Sequence, residues 1–339
     1  MKIKNKDNKG ISLIVLVITI IIMIILAAAV ILSLNSSNVI NKAGEGKTKS
    51  DFALVAERRG LLEAEILLGN IPSTPEIIEN YTLTYNQDSK NIDIKYKEGE
   101  TQVIIPEGFR HIEGTISSGL VISDEKGNEF VWVPVGIIDG GLCLREWNSG
   151  QTIDSIHLTS ESGIGQGDND SGVAGTTSIQ KYGGFYISRY KAGKPNSAPK
   201  TDGTDKPLFK KGTEIWNDIE LCQESPDGFW DDWDSNGAYK VATNAYTEGS
   251  VTSSIPSGAE WDTIMKWISD SGVDVTNETT WGNNAKTKNI YDLANGGYEW
   301  TSENAYNDPA VAYRIAAKRM CGDFPYDLKI SFRISLYIK

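Results

Sequence analysis

Cysteine is scarce. Cys143, Cys222 and Cys321 are the three in 339 residues, with no C-x-x-C among them. Their separations, about 80 to 100 residues, exclude the usual zinc spacings and a dense disulfide scaffold, and leave room for one bridge at most. Histidine is scarcer still, with His111 and His157 alone. No G-x-S-x-G elbow accompanies them, so a Ser-His-Asp triad has no local signature, and both read as strand or surface histidines. Basic charge is in deficit: 33 Lys and Arg stand against 45 Asp and Glu, a net charge of -12. Such a chain carries no footprint for a phosphate backbone, and no nucleic-acid partner is expected. Internal repeats of about 20 to 50 residues are also lacking, which excludes solenoids and propellers.

What is present begins with ordinary globular material: 40% hydrophobic and 23% charged residues, in a length that holds about two folded units. One segment departs from that average. Ile11 to Leu34 reads ISLIVLVITIIIMIILAAAVILSL without a charge. At about 1.5 Å per residue, a helix of that length exceeds the ~30 Å hydrocarbon core, so a membrane-spanning helix is expected. Lys2, Lys4, Lys6 and Lys9 precede it against Asp7 alone. A positive flank of this kind predicts a cytoplasmic amino terminus, a single pass, and an extracytoplasmic remainder. The helical pattern then continues amphipathically through Val55, Leu62 and Ile66, and Gly69-Asn70-Ile71-Pro72 ends it. Gly44-Glu45-Gly46-Lys47-Thr48 imitates a phosphate loop, but Asn41 stands where its first glycine is required, so it reads as solvated helix.

A secretory signal would place a small-residue cleavage site after the apolar run. Here the processing-like residues come before it: Lys9-Gly10-Ile11-Ser12-Leu13-Ile14. With the apolar helix, they resemble the prepilin motif of type IV pilins and type II secretion pseudopilins, over about the first 60 residues. The resemblance implies cleavage between Gly10 and Ile11 by a prepilin peptidase, N-methylation, and pilin subunits as partners. The family has Glu five residues after the cut, where this chain has Val15. A missing carboxylate there leaves a neighbour's amine unpaired, unless the subunit sits at a tip or stays in the membrane.

Beyond the helix, YTLTY, IDIKY and TQVII alternate between Tyr81 and Ile105 and predict a small antiparallel sheet. After Pro106 the chain turns to short strands such as EFVWVPV, with long polar loops expected at 148–183 and 193–213. Two helices are expected, one from near Ile215 and one after Ser257, with Trp261, Ile264, Met265 and Ile268 on its apolar face. Asp232-Trp233-Asp234-Ser235-Asn236-Gly237 satisfies the first half of a calcium loop, so Asp232, Asp234 and Asn236 are candidate ligands. Thr243 replaces the bidentate glutamate, and an ordinary Asx-rich turn remains the alternative. Tyr298, Ser302, Asn304, Tyr306, Asn307, Asp308, Tyr313, Phe324 and Tyr326 form a polar-aromatic segment of the kind that adaptable recognition surfaces use.

Phe130–Pro134, Gly184–Tyr190, Ile255–Trp261, Asn289–Ala294, Tyr298–Thr301 and Ser331–Ile334 follow in an order that resembles the formylglycine-generating, sulfatase-modifying family. The resemblance covers about residues 130–339 and implies a C-type-lectin-like fold. It also implies a calcium site at Asp292, Asn295, Gly297 and Glu299. The family's copper-binding cysteine pair would fall at Ala310 and Ile315, so no copper and no family catalysis are expected. Domains of this fold also serve as the variable display domains of diversity-generating retroelements.

The expected architecture is thus α+β: a prepilin-type leader at 1–10, a transmembrane and amphipathic helix at 11–70, a β spacer at 71–105, and an irregular C-type-lectin-like domain at 106–339. The expected function is a cell-surface ligand-binding or adhesion protein with a non-catalytic head taking a protein or glycan ligand. A structural minor pilin, or an enzyme with an altered site in the same fold, are the competing readings.

Overall fold

The computed structural model describes residues 17, 19–24, 39–135, 143–147, 153–158, 171–217, 219–222, 236–275, 286–293, 297–304, 311–315, 318–321 and 330–339. It divides into a unit of residues 1–47 and a unit of residues 48–339.

In the second unit, the alternating runs fall on a four-stranded antiparallel meander. Its strands are β1 (Glu76–Ile78), β2 (Tyr81–Tyr85), β3 (Ile92–Glu98) and β4 (Thr101–Ile105). Alternation puts Tyr81, Leu83, Ile92, Ile94, Tyr96, Val103 and Ile105 on one buried face. The 48–67 part of helix α1 (Val39–Leu67) covers that face with Phe52, Val55 and Leu62, and the Phe52 and Tyr81 rings meet edge-on at 5.7 Å. The helix stops at Gly69, whose φ of 86° is the left-handed conformation that closes a C-terminus, with Gly69 N–H donating to the Ile66 carbonyl.

The second sheet has six antiparallel strands in the order β11-β17-β10-β7-β6-β5. These are β11 (Val251–Ser254), β17 (Ser335–Ile338), β10 (Gly184–Ser188), β7 (Glu129–Pro134), β6 (Val121–Ser123) and β5 (Arg110–Glu113). Strands buried on both faces read as continuous apolar runs, and GFYIS and SLYI are buried throughout. Phe130, Trp132, Tyr186 and Leu336 face one core, shared with the meander. Val131, Val133, Phe185, Ile187 and Tyr337 face the other, which helix α4 (Gly258–Ser269) fills with Trp261, Ile264, Met265 and Ile268. Ser257 caps α4 in a capping box with Glu260. Gly184 is required where β10 crosses Trp132, since a Cβ there would stand 2.5 Å from the indole Cζ2.

Smaller sheets complete the unit. They are β8 (Cys143–Trp147) with β9 (Ile153–Leu158), β12 (Lys286–Thr287) with β13 (Ile290–Tyr291), and β14 (Glu299–Asn304) with β15 (Val311–Ile315) and β16 (Lys318–Cys321).

Three expectations are corrected. First, among the described residues no helix is long and apolar enough to cross a membrane. Of residues 11–34, Val17 and 19–24 are described, and these are helical. The other residues of that run lie outside the described ones. No described helix supports the expected transmembrane pilin-like helix, and the fold class is corrected to mixed α+β with open sheets. Second, Ile215 begins no helix: it bridges Gly193, and Trp216 N–H donates to the Ala192 carbonyl at 2.8 Å, because an extended neighbour offers it sheet-like partners. Third, the 148–183 stretch carries β9 and helix α2 (Ser171–Tyr182) rather than one long loop.

Candidate functional site

The strand ends around β10 and β13 bring together side chains from distant parts of the chain. Arg333, fully buried, lies just before β17. Its Nε stands 3.0 and 2.8 Å from the two Glu299 carboxylate oxygens. Its Nη1 donates to the Ser188 and Arg189 carbonyls, both at 3.1 Å, and its Nη2 to the Tyr291 carbonyl. Arg189 donates to Glu129 at 2.6 Å and Glu113 at 2.5 Å, while Lys286 reaches the other Glu113 oxygen at 2.7 Å. Burial pushes Glu113 up, but Lys286 and Arg189 outweigh it and hold its carboxyl below the usual carboxylate range. The Tyr190 and Tyr291 rings stack at 4.9 Å, with the Arg189 guanidinium 5.3 Å from the Tyr291 centroid.

The calcium residues implied by resemblance lie at this cluster. Asp292 adopts φ 58° and is half-buried, Gly297 adopts φ 84°, and Asn295 lies outside the described residues. The Gly297 carbonyl accepts from Lys191 Nζ at 2.7 Å, and Glu299 holds Arg333 and Lys191. Among the described residues no group of three His, Cys, Asp or Glu side chains converges on a metal position. Asn236 is exposed ahead of helix α3 (Ala238–Ala245), and Asp232 and Asp234 lie outside the described residues.

The polar-aromatic set is not brought into one described surface. Tyr298 is half-buried against the core, and Ser302 is buried with its N–H donating to Pro256. Asn304 and Tyr313 lie on β14 and β15, where Tyr313 faces Trp300 in register. Tyr306, Asn307, Asp308, Phe324 and Tyr326 lie outside the described residues, as do Gly10 and Ile11. His111 is a core histidine: Tyr81 Oη donates to its Nδ1 at 2.7 Å, and its Nε2 donates to the Glu113 and Gly114 carbonyls. Burial pushes its pKa down to about 4, so the ring is neutral.

The sequence reading missed a cleft of about 770 Å³. Four connections line it: Glu107–Phe109 after β4, Asp124–Asn128 between β6 and β7, Lys206–Leu208, and Asn244–Val251 between α3 and β11. Its wall is aromatic. Phe109 and Tyr246 are half-buried, with ring centroids 6.0 Å apart, and both pack on the buried Phe130. Tyr246 is fixed by donating to Asp124 Oδ2 at 2.6 Å and accepting from Asn128 Nδ2 at 3.1 Å. Asn128 in turn donates to both Asp124 oxygens at 2.8 Å, through its backbone N–H and its amide. Burial, then Asp124, pushes the Tyr246 phenol well above its ordinary value, so it stays a donor. At the rim, Glu107 is paired with Arg59 at 2.9 Å, and Lys206 donates to the Gly203 and Asn244 carbonyls. Among the described residues, Asp124, Glu125 and Glu248 have no ion-pair partner. A turn signal at Asp124–Asn128 was available in the sequence, but nothing in it joins four loops.

No family model, no curated protein and no solved structure matches this chain. The resemblances to type IV pilins and to the formylglycine-generating family are corrected accordingly, and the C-type-lectin-like description of 106–339 goes with them. What depended on them is withdrawn: the prepilin processing, the peptidase and pilin partners, the surface-display and adhesion role with its protein or glycan ligand, and the single-pass localisation. Short motifs of common residue types, even in order, recur by chance more readily than a whole-chain match.

Proposed function

We propose that this protein is a non-catalytic binding module for a small organic cation, seated in the cleft between Phe109, Asp124–Asn128 and Tyr246. The observation that carries the reading is that two half-buried aromatic rings line the same cleft as Asp124, Glu125 and Glu248, carboxylates with no ion-pair partner among the described residues. A cation over such ring faces gains about 0.5–2 kcal/mol, more where water is excluded. Asp124, Glu125 and Glu248 add a negative field that Lys126 and Lys206 only partly offset. Binding rather than catalysis is favoured because Asp124, Asn128 and Tyr246 spend their hydrogen bonds on one another, which orients a wall and frees no group for proton transfer.

Calorimetry on the full chain with tetramethylammonium and spermidine, against glucose and acetate, tests this. One of the cations should bind with a dissociation constant below about 1 mM and weaken with added salt. The double change Glu125→Gln and Glu248→Gln should weaken it by about tenfold, a loss of ~1.4 kcal/mol. Binding of glucose or acetate in preference to both cations, or of none, overturns the reading.

A further inference from the structure

Residues 49, 52, 53 and 56 fall at the i, i+3, i+4, i+7 spacing that places side chains on one face of a helix. On α1 that face carries Lys49 at its amino-terminal end, then Phe52, then Ala53 and Ala56. The two alanines are exposed, and their short side chains leave space at the helix wall. That space is a cavity of about 540 Å³, a size that suits a small organic molecule. Its other lining includes Arg110 and His111 of β5, and Ser123 and Glu129 on either side of the β6–β7 connection.

Most polar groups of the cavity are already committed. Ser123 Oγ donates to the Asp124 carbonyl, and His111 Nε2 to the Glu113 and Gly114 carbonyls. One Glu129 oxygen accepts from Arg189 at 2.6 Å. Lys49 and Arg110 differ: both are exposed, and neither has a hydrogen-bond or ion-pair partner among the described residues. Two uncommitted cations against one partnered carboxylate give the cavity a positive balance. Glu129 repels a second negative charge on a ligand, so one suits the cavity better than two.

We propose that this cavity binds an amphipathic carboxylate, its single anionic head held by Lys49 and Arg110 and its apolar body lying along Phe52, Ala53 and Ala56. The cavity shares no lining residue with the cleft between Phe109 and Tyr246 and takes the opposite charge, so the two readings stand or fall separately.

Calorimetry of the full chain at neutral pH with octanoate, against acetate, octanol and inorganic phosphate, tests it. Octanoate should bind at a single site with a dissociation constant below about 1 mM, roughly tenfold or more tighter than any of the three controls. Added salt should weaken it, because both cations are exposed. The double change Lys49→Gln and Arg110→Gln should weaken it by about tenfold or more. The double change Ala53→Leu and Ala56→Leu keeps both charges, fills the space and should abolish binding; leucine is a good helix former, and circular dichroism checks that the fold is kept. No octanoate binding, a control that binds as tightly, or a folded variant that binds like wild type overturns the proposal. If a variant does not fold, the wild-type comparison of octanoate with octanol and acetate decides alone.

Discussion

Replacing Arg333 with methionine removes the guanidinium at the centre of the buried charge cluster while keeping much of the side chain's volume. Breaking one partner out of a buried ion pair costs about 3–5 kcal/mol, because the other charge remains. Here Glu299 keeps the Lys191 ammonium at 3.4 Å, which places the electrostatic part at the low end, about 3 kcal/mol. The carbonyls of Ser188, Arg189 and Tyr291 lose a donor together; the Arg189 carbonyl keeps the Tyr291 N–H at 3.0 Å, while a buried acceptor left without any donor costs about 1–3 kcal/mol. These losses overlap, so a total of about 4–6 kcal/mol is expected, against a native stability of ~5–15 kcal/mol. For a unit of this size each kcal/mol moves the melting temperature by about 2–4 °C, giving a drop of roughly 10–20 °C. Circular dichroism melts with urea titrations measure it. The double variant with Glu299→Leu should recover none of the loss, because it strands the buried Lys191 ammonium that Glu299 holds at 3.4 Å. A single Arg333→Met variant within about 1 kcal/mol of wild type would refute the view that this cluster holds the strand ends together.

Stability should fall on acidification through His111. Its folded pKa is depressed to about 4 against 6.5 unfolded, so between those values the unfolded chain binds more protons. The loss should run from pH ~6.5 down to ~4 and approach about 3 kcal/mol, and His111→Gln should flatten that stretch of a stability-against-pH curve. Gly184→Ala should lower the melting temperature by several degrees, about 2 kcal/mol or more, because the new methyl meets the Trp132 ring between two central strands. A melt unchanged by that substitution would show that β10 and β7 can move apart.

The legible parts of the sequence were those where a local period equals a local structure. YTLTY, IDIKY and TQVII alternate because one face of the meander is buried under α1, and the alternation holds through IDIKY and at Tyr81, Leu83, Val103 and Ile105, with Tyr85 and Thr101 at the strand ends out of step. Ser257 and Glu260 announced a helix start because a capping box is a four-residue interaction. Ile215 misled because the segment's partner, 192–193, is some twenty residues away and pairing with it overrides local propensity. The charge cluster was illegible for the same reason: Arg333 meets a carbonyl at Ser188 and a carboxylate at Glu299, and no spacing rule connects them. Nothing in the spacing of Gly297 and Glu299 signals that Lys191, more than a hundred residues away, reaches them. The cleft is assembled from four turns, each polar and unremarkable in isolation.

The position of β17 has a consequence for how the molecule is made. Ser335–Ile338 pairs with β10 on one side and β11 on the other, inside the six-stranded sheet. During synthesis, β10 therefore waits with one open edge while roughly 150 further residues emerge, about 7–30 s at ~5–20 residues per second. The waiting edge is GFYIS, apolar and extended, the kind of strand that recruits another chain. The nascent protein is thus most exposed to mispairing just before its sheet closes, and shielding by a chaperone over that interval should matter more to its yield than anything that strengthens the finished fold.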